Sequence, residues 1–405
     1  MTSATPDAFA TIHWTEGDAE RSARWRCERG SAAPARVVLA DDTMPADVAY
    51  RLACEGTALL WRSDFQNARM LLQALGRRLE KTGERSAKKK SAPAATATPA
   101  QQLALPFHQQ RQLQAQRARV LSMLLIELDA QYSIDLRRAP QVDTACTDAW
   151  GAPQGDTPNV VSLRELQALV GAYEWRKKGV EIPALTKLTP KAYDRIHPHY
   201  GVFSPVRGEY VDLIAQASLP TALNKQSLAF DIGTGTGVIA AVLARRGIKK
   251  IVATDTDPRA LACAADNLQR LDVAAQVSLS QTDLFPEGKA ALVVCNPPWV
   301  PAKPSAPIER AVYDEGSRML RGFLAGVSDH LAPGGEAWLI LSDFAEHLGL
   351  RSRDELLGWI AEAGLQVVGK QNIRPRHAKA QDATNPLHRA RASELTTLWR
   401  LQVAW

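Results

Sequence analysis

The stretch Asp231-Ile232-Gly233-Thr234-Gly235-Thr236-Gly237 constrains the fold of this chain more than any other segment. It follows the apolar run Leu228–Phe230 and precedes a helical pattern from Val238 to Arg246. Glycine is required where the backbone turns sharply, or where a ligand approaches closer than a Cβ permits. Alternate glycines between a strand and a helix therefore predict a loop open to a ligand. The spacing differs from the Gly-x-Gly-x-x-Gly of dinucleotide folds, which sets a pyrophosphate on a helix N-terminus. A carboxylate at Asp231 would repel phosphate and attract a cationic amino-acid moiety. The expectation is an adenosyl cofactor without phosphate.

From Leu228 onward strand and helix patterns alternate, which predicts a parallel sheet with helices on both faces. Strands are expected near Leu228–Asp231, Ile251–Thr254, Val277–Leu279, Leu292–Cys295, Ala337–Leu341, Gln366–Val368 and Leu395–Val403. The second ends in Thr254-Asp255-Thr256-Asp257-Pro258. Asp257 reads as a helix N-cap with Pro258 in the first turn, which leaves Asp255 to accept the ribose hydroxyls. Asp283, after the third strand and beside Leu284, is the candidate for the adenine amino group. The cofactor-binding candidates are thus Asp231, Gly233, Thr234, Gly235, Gly237, Asp255, Asp283 and Leu284.

After the fourth strand comes Asn296-Pro297-Pro298-Trp299. The prolines fix φ and lack amide donors, so the turn is stiff and offers bare carbonyls. The Asn296 oxygen and the Pro297 carbonyl could each accept one N–H of a planar NH₂ group. That would aim the nitrogen lone pair and favour the positive charge that grows on it during alkylation. Trp299 would stack on the flat acceptor and exclude water. Asn296, Pro297 and Trp299 are the catalytic candidates. Pro298, with Phe203, Pro205 and Arg207 of the upstream segment Ile196–Tyr210, are the candidates for acceptor binding.

The other half of the chain is less informative. With 405 residues, more than one domain is expected. Residues 1–80 read as a small α/β unit, with strands at Arg36–Leu39 and Thr57–Trp61 and a helix from Asp64 to Lys81. It lacks a glycine cluster and shows no clear internal repeat, although a degenerate copy of the C-terminal fold is conceivable. Residues 81–106, with Lys88-Lys89-Lys90 and an Ala/Pro/Thr run, read as a linker. Residues 107–195 read as a helical acceptor-recognition region. Its first helix runs from Phe107 to about Gln131, and a capping box at Ser162–Glu165 opens another. Residues 196–405 form the cofactor domain. Its last two strands are joined by a long basic connection holding Arg374, Arg376, His377, Lys379, His388, Arg389 and Arg391, a candidate for acceptor contact.

The net charge of +6 is compatible with a nucleic-acid or ribosomal partner without requiring one. Five scattered cysteines point to a reduced compartment and no structural zinc or other metal. Met1–Ala10 is no secretory signal and no apolar run could span a bilayer, so a cytoplasmic location and no membrane partner are expected.

The C-terminal part, roughly Tyr200 to Trp405, resembles the class I S-adenosylmethionine-dependent methyltransferases of the small-domain type. It is most similar to the HemK-type protein-(glutamine-N5) methyltransferases. The residues that carry the likeness are Asp231–Gly237, Asp255, Asp283 and Asn296–Trp299, with Ala332–Glu336 as the turn into the fifth strand. The resemblance implies a seven-stranded Rossmann-like methyltransferase sheet with an antiparallel final hairpin, and S-adenosyl-L-methionine as donor. It also implies an acceptor drawn from protein or RNA, including the translation machinery. Departures are Trp299 where tyrosine is usual, Lys289–Leu292 without the acid often found there, and a loose match at Ser204–Glu209. The expected function is N-methylation of a planar NH₂, first a protein glutamine amide. The alternative is adenine N6 or guanine N2 of rRNA, tRNA or DNA, and a non-catalytic S-adenosylmethionine- or ribosome-binding protein is a third reading.

Overall fold

Residues 9–89, 98–190, 192–206, 208–225, 227–375 and 385–404 are described in a computed structural model. Arg207, Lys90, Arg376, His377 and Lys379, all named above, lie outside them. Two compact units divide the chain: Met1–Ala95 with Gln109–Glu174, and Thr96–His108 with Trp175–Trp405.

The first unit is built on six strands: β1 (Thr11–Glu16), β2 (Ala19–Arg26), β3 (Arg36–Ala40), β4 (Thr57–Trp61), β5 (Leu124–Leu128) and β6 (Asn159–Ser162). They lie in the order β1-β2-β6-β5-β4-β3. In β1 the buried Ile12 and Trp14 alternate with exposed residues, and in β2 the buried Ala23 and Trp25 alternate with the part-buried Arg24 and Arg26, as a half-buried antiparallel pair requires. Arg62, just past β4, ties the sheet face together with 2.6 Å ion pairs to Glu16 and Glu127.

Four sequence expectations differ from the structure. The helix beginning before Phe107 spans Pro99–Leu121, and Leu124–Leu128 is a strand rather than its continuation. A short apolar run suits a buried strand as well as a helix, and only sheet pairing separates the two. Residues 107–195 are therefore no separate helical region, because β5 and β6 belong to the same sheet as the strands before residue 80. The helix Phe65–Lys89 also continues through the first part of the expected linker. The conceivable degenerate copy is not seen either. Strands β3, β4 and β5 follow one another in space as parallel neighbours, without the reversal of order that characterises the C-terminal sheet.

The second unit has a short antiparallel pair, β7 (Val180–Glu181) and β8 (Arg195–Ile196). Its main sheet comprises β9 (Leu228–Ile232), β10 (Lys250–Asp255), β11 (Val277–Gln281), β12 (Ala290–Cys295), β13 (Leu331–Ser342), β14 (Leu365–Ile373) and β15 (Thr396–Val403). The order is β11-β10-β9-β12-β13-β15-β14, parallel except that β15 runs antiparallel to both of its neighbours. All seven expected strands are present. Helices cover both faces, as continuous apolar strands such as β12 (all six residues buried) demand. The expected N-cap at Asp257 accepts from Arg259 N, and the capping box at Ser352–Glu355 is complete. At Ser162 only half of the box forms, since Glu165 turns instead to the amide of Glu28.

Phe107 falls in the second unit. It is buried with Val300, Phe344, Leu348 and Leu387 in a cluster that Trp299 borders. Replacing it with alanine would leave a cavity there. We expect Phe107→Ala to lower the stability of this unit by about 3–5 kcal/mol, read from the shift in denaturant midpoint at unchanged slope.

Candidate cofactor and acceptor site

The motif residues meet through strand register. Ile232 of β9 pairs with Thr254 of β10 on one side and with Cys295 of β12 on the other. The next residue on each strand is therefore Asp255, Gly233 and Asn296, side by side at the C-terminal edge. Adjacent strands lie about 4.8 Å apart, so Asp255 and Asn296 flank the glycine loop across roughly 10 Å. The order of the strands reverses at β9, which opens a crevice at that point.

The glycine loop is held by an acid on each side. Gly233, Gly235 and Gly237 all have φ between 54° and 79°, the left-handed region that disfavours side chains. A Cβ at Gly233 would come 2.7 Å from Met319 Cε, whereas one at Gly235 would meet nothing within 4 Å. Gly235 thus faces open space. Its amide donates to Asp255 Oδ2 at 3.0 Å, and the Asp257 amide donates to Asp255 Oδ1 at 3.0 Å. Burial, opposed by these hydrogen bonds, pushes the Asp255 carboxyl above its ordinary value. The carboxylate keeps lone-pair capacity for a hydroxyl donor.

Asp231 lies fully buried beneath the loop. Its Oδ2 accepts from Thr234 Oγ1 at 2.7 Å and from the Ala240 amide at 3.1 Å, while Oδ1 is buried without a partner. Burial pushes this carboxyl up to about 7, against the pull of Thr234 and Ala240 and with a smaller push from Asp255. A buried acceptor without a donor is costly, and a cationic amine beside Oδ1 would relieve it. Together with the open face of Gly235 and the half-buried Asp255, it fits the ammonium and ribose of S-adenosylmethionine.

Asp283 is exposed and lies 3.9 Å from Arg318. Leu284 has a φ of 68°, rare for a branched residue, and its carbonyl accepts from Thr254 Oγ1 at 2.6 Å. This strain is not evident in the sequence, whereas the next helix, passed over above, shows Leu320, Phe323, Leu324 and Val327 at helical spacing. Buried Asp314 accepts the amides of Met319 and Leu320, and so anchors the start of the helix Arg318–Val327. That sets Met319 against the glycine loop. Another residue the sequence reading passed over is Asn267, a fully buried amide that joins Thr236 O to His197 N. Its signal was available: Ala260, Cys263, Ala264, Asn267 and Leu268 share the buried face of one helix.

The upstream segment is pinned to that same helix. His199 Nε2 lies 2.9 Å from Asp266, and Val202 packs on Ala260 and Cys263. Pro205 is buried, Phe203 is 41% exposed, and Ser204 Oγ is buried without a partner.

At the other flank the Trp299 indole is half-buried. Nε1 donates to Asn296 Oδ1 at 2.9 Å, and the ring packs against three separate apolar clusters. Asn296 and Pro298 are half-buried, and Pro297 is buried. Among the described residues no group donates to the Pro297 carbonyl. Leu387 and Ala390, from the described part of the basic connection, join the cluster that borders Trp299.

A parallel sheet with a reversal at its first strand, a glycine loop pinned by a strand-end acid, and an Asn-Pro-Pro-Trp turn on the next strand define a nucleoside-dependent group-transfer fold. Residues 194–353 match the family Methyltransferase small domain. The match lies within the C-terminal unit, which is similar to the class I S-adenosylmethionine-dependent methyltransferases of that type. Similar proteins include a release factor glutamine methyltransferase of Cereibacter sphaeroides, 33% identical over 33% of this chain and 51% of that protein. A Methanocaldococcus jannaschii protein named for N5-glutamine methylation is 29% identical over 36% of this chain and 75% of its own length. A ribosomal protein L11 methyltransferase of Pelotomaculum thermopropionicum is 46% identical over 16% of this chain and 22% of that protein. The chain spans about half the length of the first of these relatives.

Among the described residues no three His, Cys, Asp or Glu side chains are grouped to hold a metal, and no helix is long and apolar enough to cross a membrane. All five cysteines are free.

Two outcomes are expected. Between the ordinary carboxyl value of 3.8 and about 7, the folded chain keeps a proton on Asp231 that the unfolded chain has lost. This site therefore weakens stability as pH rises through that window. A cation beside Oδ1 favours the carboxylate, so donor binding should release a proton near neutrality. Calorimetry in buffers of different ionisation enthalpy should show this release, with affinity rising from about pH 6 to about pH 8, and Asp231→Asn should abolish both effects. Gly233→Ala should weaken donor binding by about 10-fold or more, measured by titration, because its Cβ meets Met319 at a positive φ.

Proposed function

We propose that the chain transfers a methyl group from S-adenosyl-L-methionine to a planar NH₂ group, and that the acceptor is a protein glutamine side-chain amide. The observation that carries this reading is the pair of acceptors beside the glycine loop. One is the half-buried Asn296 Oδ1, which keeps a lone pair after its bond from Trp299, and the other is the Pro297 carbonyl. The donor supplies an electrophilic methyl on a sulfonium. Asn296 and Pro297 each accept one N–H of the amide, which withdraws its nitrogen from conjugation and aims the lone pair at the methyl carbon. A C–N bond forms as the C–S bond breaks, and that electron pair returns to sulfur. One N–H proton then leaves to solvent. No general base is needed before transfer.

Asp231 holds the donor's ammonium and Asp255 its ribose in this reading. Thr234 and the loop glycines line its path, and Asp283 with Leu284 receives the adenine. Phe203 and Pro205 border the acceptor with Pro298. The relatives named for release factor and ribosomal protein methylation support a protein acceptor from the translation machinery. A second reading, an exocyclic amine of an RNA or DNA base, draws on the net charge of +6 and on Arg374, His388 and Arg389 of the basic connection. A base amine offers the same NH₂ geometry.

Incubation with labelled donor and fractionated extract tests both readings. Label that enters protein and survives RNase and DNase supports the first, and label lost with nucleic acid supports the second. Asn296→Ala should keep donor affinity and lose about 100-fold or more in turnover. Full turnover in that variant would refute the role of the turn.

A further inference from the structure

We infer that Trp299 is a positioning residue whose indole N–H locks the Asn296 amide in the one orientation that presents an acceptor to the incoming nitrogen. This rests on the function proposed above and goes beyond it.

An asparagine side chain can point either end of its amide at the acceptor. One orientation offers oxygen, which accepts an N–H. The other offers NH₂, which would face an NH₂ donor to donor and could not hold it. Something must choose between them. Here the indole nitrogen donates to Oδ1 at 2.9 Å. An indole N–H can only donate, so the reversed amide would set N–H against N–H and leave a partly buried donor unsatisfied. A phenol in the same place can donate or accept and would enforce no choice by itself. The substitution of tryptophan for tyrosine thus changes the chemistry of the turn and not only the size of its ring.

The lock is rigid for two reasons. Pro297 and Pro298 fill the interval between Asn296 and Trp299 and fix both intervening φ angles. Trp299 also sits where three apolar clusters meet, so swinging its N–H away would disturb packing on several sides. One cluster contains Phe107 and Leu387, another Phe230 and Phe323, and the third Trp338 and Leu398. The bond uses the N–H edge of the ring, so the contribution assigned to Trp299 is exerted through Asn296.

The test removes the donor and keeps the shape. Trp299 is replaced by benzothienylalanine, in which sulfur takes the place of the N–H, and in parallel by phenylalanine. Turnover should fall about 10- to 100-fold in both, the range set by one misdirected hydrogen bond. Donor affinity and melting temperature of the benzothienyl variant should match the parent. A parent-like kcat in that variant overturns the proposal. So does a raised acceptor KM at unchanged kcat, the mark of a stacking platform.

The bond itself is read without any acceptor. The Trp299 indole N–H resonance should be protected from exchange in the parent and should lose that protection in Asn296→Ala. An indole signal equally protected in both variants overturns the lock on its own. A parent chain that methylates nothing in extract, yet shows the protected indole, refutes the methyl-transfer reading and leaves the bond standing.

Discussion

Everything at the candidate site depends on the backbone hydrogen bonds that β9 makes to β10 and β12. Parallel pairing leaves no freedom in which residues lie level with one another. Once Ile232 pairs with Thr254 and Cys295, the acid, the loop and the asparagine must emerge in one row. A slip by one residue on β12 would turn Asn296 to the other face of the sheet. The largely apolar content of these strands, buried under helices on both faces, is what makes the register firm.

The row is also a concentration of electrostatic cost. Asp231 is wholly buried and Asp255 partly so, and both carboxyls are pushed above their ordinary values by burial. Asp231 is partly compensated by the Thr234 hydroxyl and the Ala240 amide, and Asp255 by the amides of Gly235 and Asp257. The loop geometry and the raised acidity are thus one arrangement: Thr234 and Gly235 of the turn each donate to one of the acids. Its imbalance, the lone Oδ1 of Asp231, is the point at which a cationic ligand gains most.

Much of the C-terminal unit was legible in sequence, for physical reasons. Strands buried on both faces read as apolar runs, and Gly233, Gly235 and Gly237 sit where φ is positive, which no other residue adopts cheaply. The N-cap at Asp257 depends only on neighbours and formed as read. The first unit was harder. Leu124–Leu128 is a strand because β4 and β6 flank it, and nothing within those five residues says so. Asp314, Met319 and the strained Leu284 act across the fold and left no local pattern. Glu165 showed the same limit from the other side, since a distant amide at Glu28 displaced the local partner that a capping box would supply.

The Asn-Pro-Pro-Trp turn divides most cleanly. Sequence alone determined its stiffness, because proline removes backbone freedom wherever it stands. It determined too that an amide and an indole lie three residues apart. Only tertiary structure decided that the indole N–H meets the amide. That outcome comes from three apolar clusters converging on one ring, a property of packing between distant segments, and short-range sequence carries no record of it.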